Sequence, residues 1–293
     1  MLQGPYIEAR PEEGDWVVIL PGDNPEGAKV VLNVIHHRPA NPNIKDSGLK
    51  KLHAILTFAQ KYDLPYIMRA FSLLPSLIFA SVPDVGQYSL TIKVGLAWET
   101  GGMYLLGKLV KWIVHFCHED EGLGLTTPDG THIEAADAES MALVPVGLFD
   151  AIAMERRRIV DKIFENIRKD VAELRQYGKM DIKSSPYCRA KTFRGEPHPP
   201  CTTHWLDSIM ASFTDDEIRC ISARSDDDSN IYPFSINHLE SLIGRIRSPA
   251  TFNAKHSGCD PFRKKFLCYC REALEDVTTP MAEEHKRYLS SQG

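Results

Sequence analysis

The apolar run in DWVVIL, residues 15–20, gives way to the turn PGDNP, a pairing that predicts a short buried strand and then a helix start. Asp23 or Asn24 can cap that helix, and Pro25 suits its first position, where no amide hydrogen is needed. Ala28, Val31, Leu32 and Ile35 recur three and four residues apart and predict one apolar helical face. Pro39 and Pro42 cannot continue the helix, so it must stop at His37 and Arg38. In SGLKKLHAILTFAQKYDL the residues Leu49, Leu52, Ile55, Leu56 and Ala59 line the next helix. PYIMRAFSLLPSLIFAS is apolar enough to be core, and the stretch from VPDVGQ to VHFC reads as two helices parted by Gly101 and Gly102. Residues 119–143 read as a polar, glycine-containing loop. A long helix over 146–177 places Ile152, Ile159, Ile163, Ile167, Val171 and Leu174 on one stripe. From about 180 onward Cys, His, Pro and Gly punctuate short segments, and SDDDSN at 225–230 is a solvated loop. The pattern is mostly helical with one visible strand.

Composition narrows the function classes. A chain of 293 residues can bury a real core in one to three domains. A formal net charge of -5 argues against general attraction to nucleic acid or to an anionic membrane. No apolar run approaches the roughly 20 residues of a membrane-spanning helix. The start, MLQGPYIEARPEEGDW, has no basic region ahead of an apolar stretch, so no secretory signal is expected. Seven cysteines, an odd number, then point to free thiols or metal ligands in a reducing compartment, which makes the chain intracellular, cytoplasmic or nuclear.

His36 and His37 invite a metal or acid–base reading. Neighbouring helical positions point about 100° apart, so the pair cannot converge on one ion. An imidazole beside the last carbonyls instead complements the negative end of the helix dipole, and the pair reads as a helix end. In HFCHEDE, 115–121, His115 and His118 share a face, but Cys117 sits off it, and a helix end with a solvated acidic tail is the simpler account. ERRR at 155–158 lies among Asp161, Glu165, Asp170 and Glu173 and reads as mixed-charge surface. TDDE at 214–217 reads as a capped helix start.

The late cysteines carry more chemistry. Cys188 and Cys201 are separated by twelve residues, and His256 and Cys259 form an H-x2-C pair in which Gly258 eases a tight turn. Together these four could close one tetrahedral structural zinc site with no open position. The first pair lacks the short C-x2-4-C spacing, so buried thiols and a surface histidine stand as the alternative. Cys268 and Cys270, two apart in FLCYC, fall on opposite sides of a helix and read as core. A zinc-dependent or thiol enzyme built on this cluster would need an open metal position or an activated thiolate. A zinc-stabilised nucleic-acid binder would need a contiguous basic face. No phosphate loop, nucleophile elbow or zinc-protease helix motif occurs.

The stretch from VVILPGDNPEG through LNVIHH and SGLKKLHAI to AQKYDLP resembles the second half of a fungal-type BTB/POZ domain. Its strand, acidic turn, helix ending in IHH and helix closing on KYD carry the likeness. The opening MLQGPYIEA, VPDVGQYSLTIKVGLAW, VPVGLFDAIAMERRR, the two spaced cysteines and HSGC are similar to regions around such domains. The resemblance implies a mostly α fold with an α+β remnant: a partial BTB/POZ domain at 1–80, a helical region at 81–179 and a Cys/His-containing helical region at 180–293. Trp16, Val18, Leu32, Ile35, Leu52, Ile55, Leu56 and Tyr62 are expected to be buried. The function implied is a non-catalytic protein–protein interaction module or adaptor, whose partners are proteins, including a second copy. The absence of the earlier half of the domain argues against recruitment to a cullin-type ubiquitin ligase and is expected to leave apolar surface for self-association.

Overall fold

The computed structural model describes residues 20, 22–38, 48–64, 66–67, 90–100, 102–120, 124–133, 141–178, 207–209, 211–213, 232–245 and 261–291. Residues 15–19 of the expected strand, most of the apolar segment 65–81, the TDDE sequence and the proposed zinc ligands Cys188, Cys201, His256 and Cys259 lie outside them. Helix makes up 73% of the described residues beside one two-stranded sheet, which settles the class as mostly α. The chain divides into two compact units, the first from 1–102 with 139–143, the second chiefly from 103–138 with 144–291.

In the first unit, α1 (Pro25–Ile35), α2 (Gly48–Lys61) and α3 (Leu90–Glu99) are described. Asn24, not Asp23, caps α1: its Oδ1 accepts from Glu26 N at 3.1 Å and Gly27 N at 3.2 Å. Asp23 accepts instead from Lys61 Nζ at 2.9 Å and the Tyr62 hydroxyl at 2.8 Å, tying the start of α1 to the end of α2. Both helices end in the same way. His37 (φ 51) and Asp63 (φ 50) adopt the left-handed conformation that His and Asp enter more readily than other side chains. Arg38 N then reaches Asn33 O at 2.8 Å and Leu64 N reaches Ala59 O at 2.8 Å, satisfying carbonyls that the helix leaves open.

The seam between α1 and α2 is set by Gly27. A Cβ there would lie 2.5 Å from the carbonyl oxygen of Ala54, so only glycine lets the two backbones approach this closely. Gly27, Val30 and Val31 are buried on α1, against Leu52, Ala54, Ile55 and Leu56 of α2. Leu52, Ile55 and Leu56 are buried as expected; Ile35 is only half-buried, and Leu32 and Tyr62 are 42% and 37% exposed. Every residue of α3 is buried, and Gln60 Nε2 donates to Glu99 Oε1 at 3.3 Å.

The second unit comprises α4 (Met103–Phe116), β1 (His118–Asp120), β2 (Gly124–Thr126), α5 (Leu148–Gly178), α6 (Ile236–Arg245), α7 (Pro261–Glu275) and α8 (Ala282–Ser291). The stretch expected as a polar loop therefore opens with an antiparallel hairpin, in register His118–Thr126, Glu119–Leu125 and Asp120–Gly124. Ile152, Ile159, Ile163 and Ile167 of α5 are fully buried with Leu106, Val110 and Ile113 of α4, and α7 adds Phe266 and Cys270. Each such aliphatic side chain contributes about 1.5–3 kcal/mol by leaving water.

Polar clamps fix the helices of this core. Asp170 accepts from Lys265 Nζ at 2.6 Å and the Tyr269 hydroxyl at 2.8 Å, joining α5 to α7. Glu155 accepts from Arg158 at 2.7 and 2.8 Å, and from Thr278 N at 2.7 Å and its hydroxyl at 3.0 Å. Burial pushes the Glu155 carboxyl upward, but the bonds from Arg158 and Thr278 and the charge of Arg158 outweigh it and hold its pKa below the ordinary 4.5. A depressed folded value adds stability that is complete above about pH 4.5 and drains as pH falls through the folded pKa. Glu155→Gln is therefore expected to be less stable than the parent at neutral pH and to lose less on acidification. Urea midpoints from pH 7 downward check it; parallel curves for the two proteins would refute it.

Candidate functional site

With about 100° between successive helical residues, the α1 positions opposite the Gly27–Val31 seam are those of Lys29, Leu32 and His36. They line a groove of about 600 Å³ along α1, closed at one end by Leu20 and Asp23 and reaching Arg38 at the other. It lies wholly within the first unit. Leu32 is its exposed apolar centre, and the side chains of Lys29, His36 and Arg38 are exposed along it. None of those three forms a hydrogen bond or ion pair among the described residues. Asp23 is engaged by Lys61 and Tyr62. Its partial burial pushes the carboxyl upward, yet those bonds and the charge of Lys61 win and hold it below the usual carboxylate range. The groove thus presents an apolar patch beside Lys29 and Arg38, and Asp23, the one carboxylate among its described lining residues, is already engaged.

His36 and His37 form the helix end that the sequence implies, with exposed side chains. The cluster His115, Cys117, His118 disperses: His115 Nε2 bonds Glu240 Oε2 at 2.9 Å, His118 Nε2 lies 3.7 Å from Asp120, and Cys117 is fully buried. Burial pushes the Cys117 thiol up to about 12 despite the nearby charge of Arg156, and likewise Cys270 to about 12, so both stay protonated and inert at neutral pH. Cys268, expected with Cys270 in the core, is half-buried, and its Sγ lies 3.1 Å from Glu272 Oε1.

Two expectations are corrected by buried charge. Glu119, taken as part of a solvated tail, is 2% exposed, and Arg156, taken as surface, is fully buried. Arg156 Nε donates to Cys117 O at 3.1 Å and its Nη2 to Tyr232 O at 3.2 Å and Phe234 O at 2.5 Å, while Nη1 faces Glu119 Oε2 at 3.6 Å. Arg157 Nε reaches the other carboxylate oxygen at 2.8 Å. This is a structural network: Nε and Nη2 are spent on carbonyls of the chain itself, while Nη1 and Glu119 Oε2 face each other as an ion pair without a hydrogen bond.

The hairpin carries a polar cluster that the sequence reading did not anticipate. The Thr126 hydroxyl lies 3.0 Å from Asp120 Oδ2 and 2.8 Å from His132 Nδ1. A carboxylate, imidazole and hydroxyl are the parts of a nucleophilic site, but their order is wrong for one. Asp120 stands 3.9 Å from His132 and does not orient it, and Thr126 is 2% exposed. The cluster staples the strands. Among the described residues no group of three His, Cys, Asp or Glu side chains is placed to hold a metal ion, and no helix is long and apolar enough to cross a membrane. No protein-family model matches the chain, and neither a curated protein nor a solved structure is significantly similar to it.

Proposed function

We propose that the chain is a protein–protein interaction module of the BTB/POZ kind, acting by docking and not by catalysis. What carries this reading is the contrast between the two faces of α1. One is locked onto α2 through Gly27 and the Asp23–Lys61–Tyr62 bonds; the other is an open groove with a half-exposed leucine at its centre. A rigid helix that presents an apolar anchor beside polar groups is a usual platform for a protein partner. The family-like ends of the segment also meet: the acid of the GDNP turn binds the lysine and tyrosine of KYD.

A photo-crosslinking residue at position 33, beside Leu32, is expected to trap a discrete protein. That protein, purified, should bind the full chain in calorimetry and lose about tenfold or more in affinity on Leu32→Asp. A crosslinker in place of Met154, 68% exposed in the second unit, serves as control. Adducts no stronger than that control, or a trapped protein indifferent to Leu32→Asp, would end the proposal.

A further inference from the structure

We infer that the α1 groove takes an acidic peptide segment with one apolar side chain, an inference that rests on the docking reading above. Charge gives the first argument. The chain as a whole carries a formal charge of -5, yet the groove collects Lys29, Arg38 and the imidazole of His36. These side chains have no partner among the described residues, and Asp23, which could offset them, is held by Lys61 and Tyr62. A cationic strip on an acidic protein attracts carboxylates and repels basic segments, and it is complementarity of this kind that selects partners.

Shape gives the second. Leu32 lies between Lys29 on one side and His36 and Arg38 on the other, so one apolar contact is flanked on both sides by side chains that can donate to a carboxylate. From Pro25 to His36 the groove runs roughly 16 Å at 1.5 Å per helical residue. That spans about five residues of extended peptide at 3.3 Å each. The expected segment is a central leucine-like residue with Asp or Glu on both sides. Nucleic acid fits less well: among the described residues no Phe, Tyr or Trp lines the groove to stack a base.

The test is fluorescence anisotropy of the full chain with a labelled short peptide of glutamates around one leucine. It is run beside the lysine version, a version with alanine at the centre, and a single-stranded oligonucleotide of equal charge. Binding of the glutamate–leucine peptide is expected to weaken about tenfold or more in Lys29→Glu/Arg38→Glu and in Leu32→Asp, and to fall as salt rises. All three positions are exposed, so unfolding midpoints should stay at the parent value, and Met154→Asp should bind as the parent does. Equal binding of the lysine peptide, equal binding of the oligonucleotide, indifference to the groove substitutions, or no binding would each overturn the inference. If position 33 nonetheless traps a neutral or basic protein sensitive to Leu32→Asp, the docking reading survives and only the acidic preference falls.

Discussion

Arg156→Met is expected to lower the stability of the second unit by about 3–5 kcal/mol, the usual loss when one member of a buried charge pair is removed. The guanidinium is fully buried, and burial pulls its pKa down while the charge of Glu119 opposes that pull. Its planar fork serves the carbonyls of Cys117, Tyr232 and Phe234 and stands against Glu119. It therefore joins α5 to the α4–β1 junction and to the segment entering α6. Methionine fills much of the volume but leaves three carbonyls without this donor. Glu119 is left with Arg157, whose side chain is 51% exposed and screened by water. Arg156→Lys should recover only part of the loss, because one ammonium cannot span the same fork. Glu119→Gln in the methionine background should return some of it, with a coupling of about 0.5–3 kcal/mol. Amide exchange in α4 and α5, read together with denaturant unfolding, measures the effect in the unit concerned. Unchanged protection in Arg156→Met, or strict additivity of the pair, would show that this network contributes nothing special.

That arginine also shows where the sequence was legible and where it was misread. Position 156 stands four residues after Ile152 and three before Ile159, on the very stripe that predicts the buried face of α5. Periodicity thus marked it as buried, but the charge-pattern argument treated ERRR as a block and overrode the phase. Its partner Glu119 followed the same error, since an acid after a helix end reads as solvated unless its cross-chain partner is known. Leu32 was misplaced for a different reason. Ala28, Val30, Val31, Leu32, Val34 and Ile35 spread over about 200° of α1, so apolar spacing alone fits more than one face. The deciding signal was Gly27, the position that can lie against another backbone. Caps and breaks depend on local chemistry and were readable: the proline at the start of α1, its end at the histidines, and the break between α3 and α4. Which of Asp23 and Asn24 does the capping depended on Lys61 and Tyr62, nearly forty residues away. The hairpin at 118–126 was missed because its strands are three residues long, too short for alternation to show.

Gly27→Ala is expected to destabilise the α1–α2 seam by about 1–2 kcal/mol, although alanine is the better helix former. In an open helix position the same change gains up to about 1 kcal/mol. At Gly27 the new methyl would lie 2.5 Å from Ala54 O, 2.6 Å from its carbonyl carbon and 3.1 Å from its Cβ. Two of those atoms are backbone of α2 and cannot swing aside as a side-chain tip would, so the helices must part, and overpacking of this kind costs about 1–3 kcal/mol. Gly244 in α6 supplies the internal comparison: a Cβ there meets nothing within 4 Å, and Gly244→Ala should be stabilising. Amide exchange should quicken in α1 and α2 for Gly27→Ala and slow in α6 for Gly244→Ala. The groove is the opposite face of α1, and its Asp23 end is held by Lys61 and Tyr62 at the end of α2, so a helix lifted from its seat also disturbs that end of the groove. Gly27→Ala should therefore weaken capture of the acidic peptide without altering any side chain that lines the groove. Two glycines that respond alike would mean that α1 is not seated on α2 through a backbone contact, and the rigid platform assigned to the groove would lose its foundation.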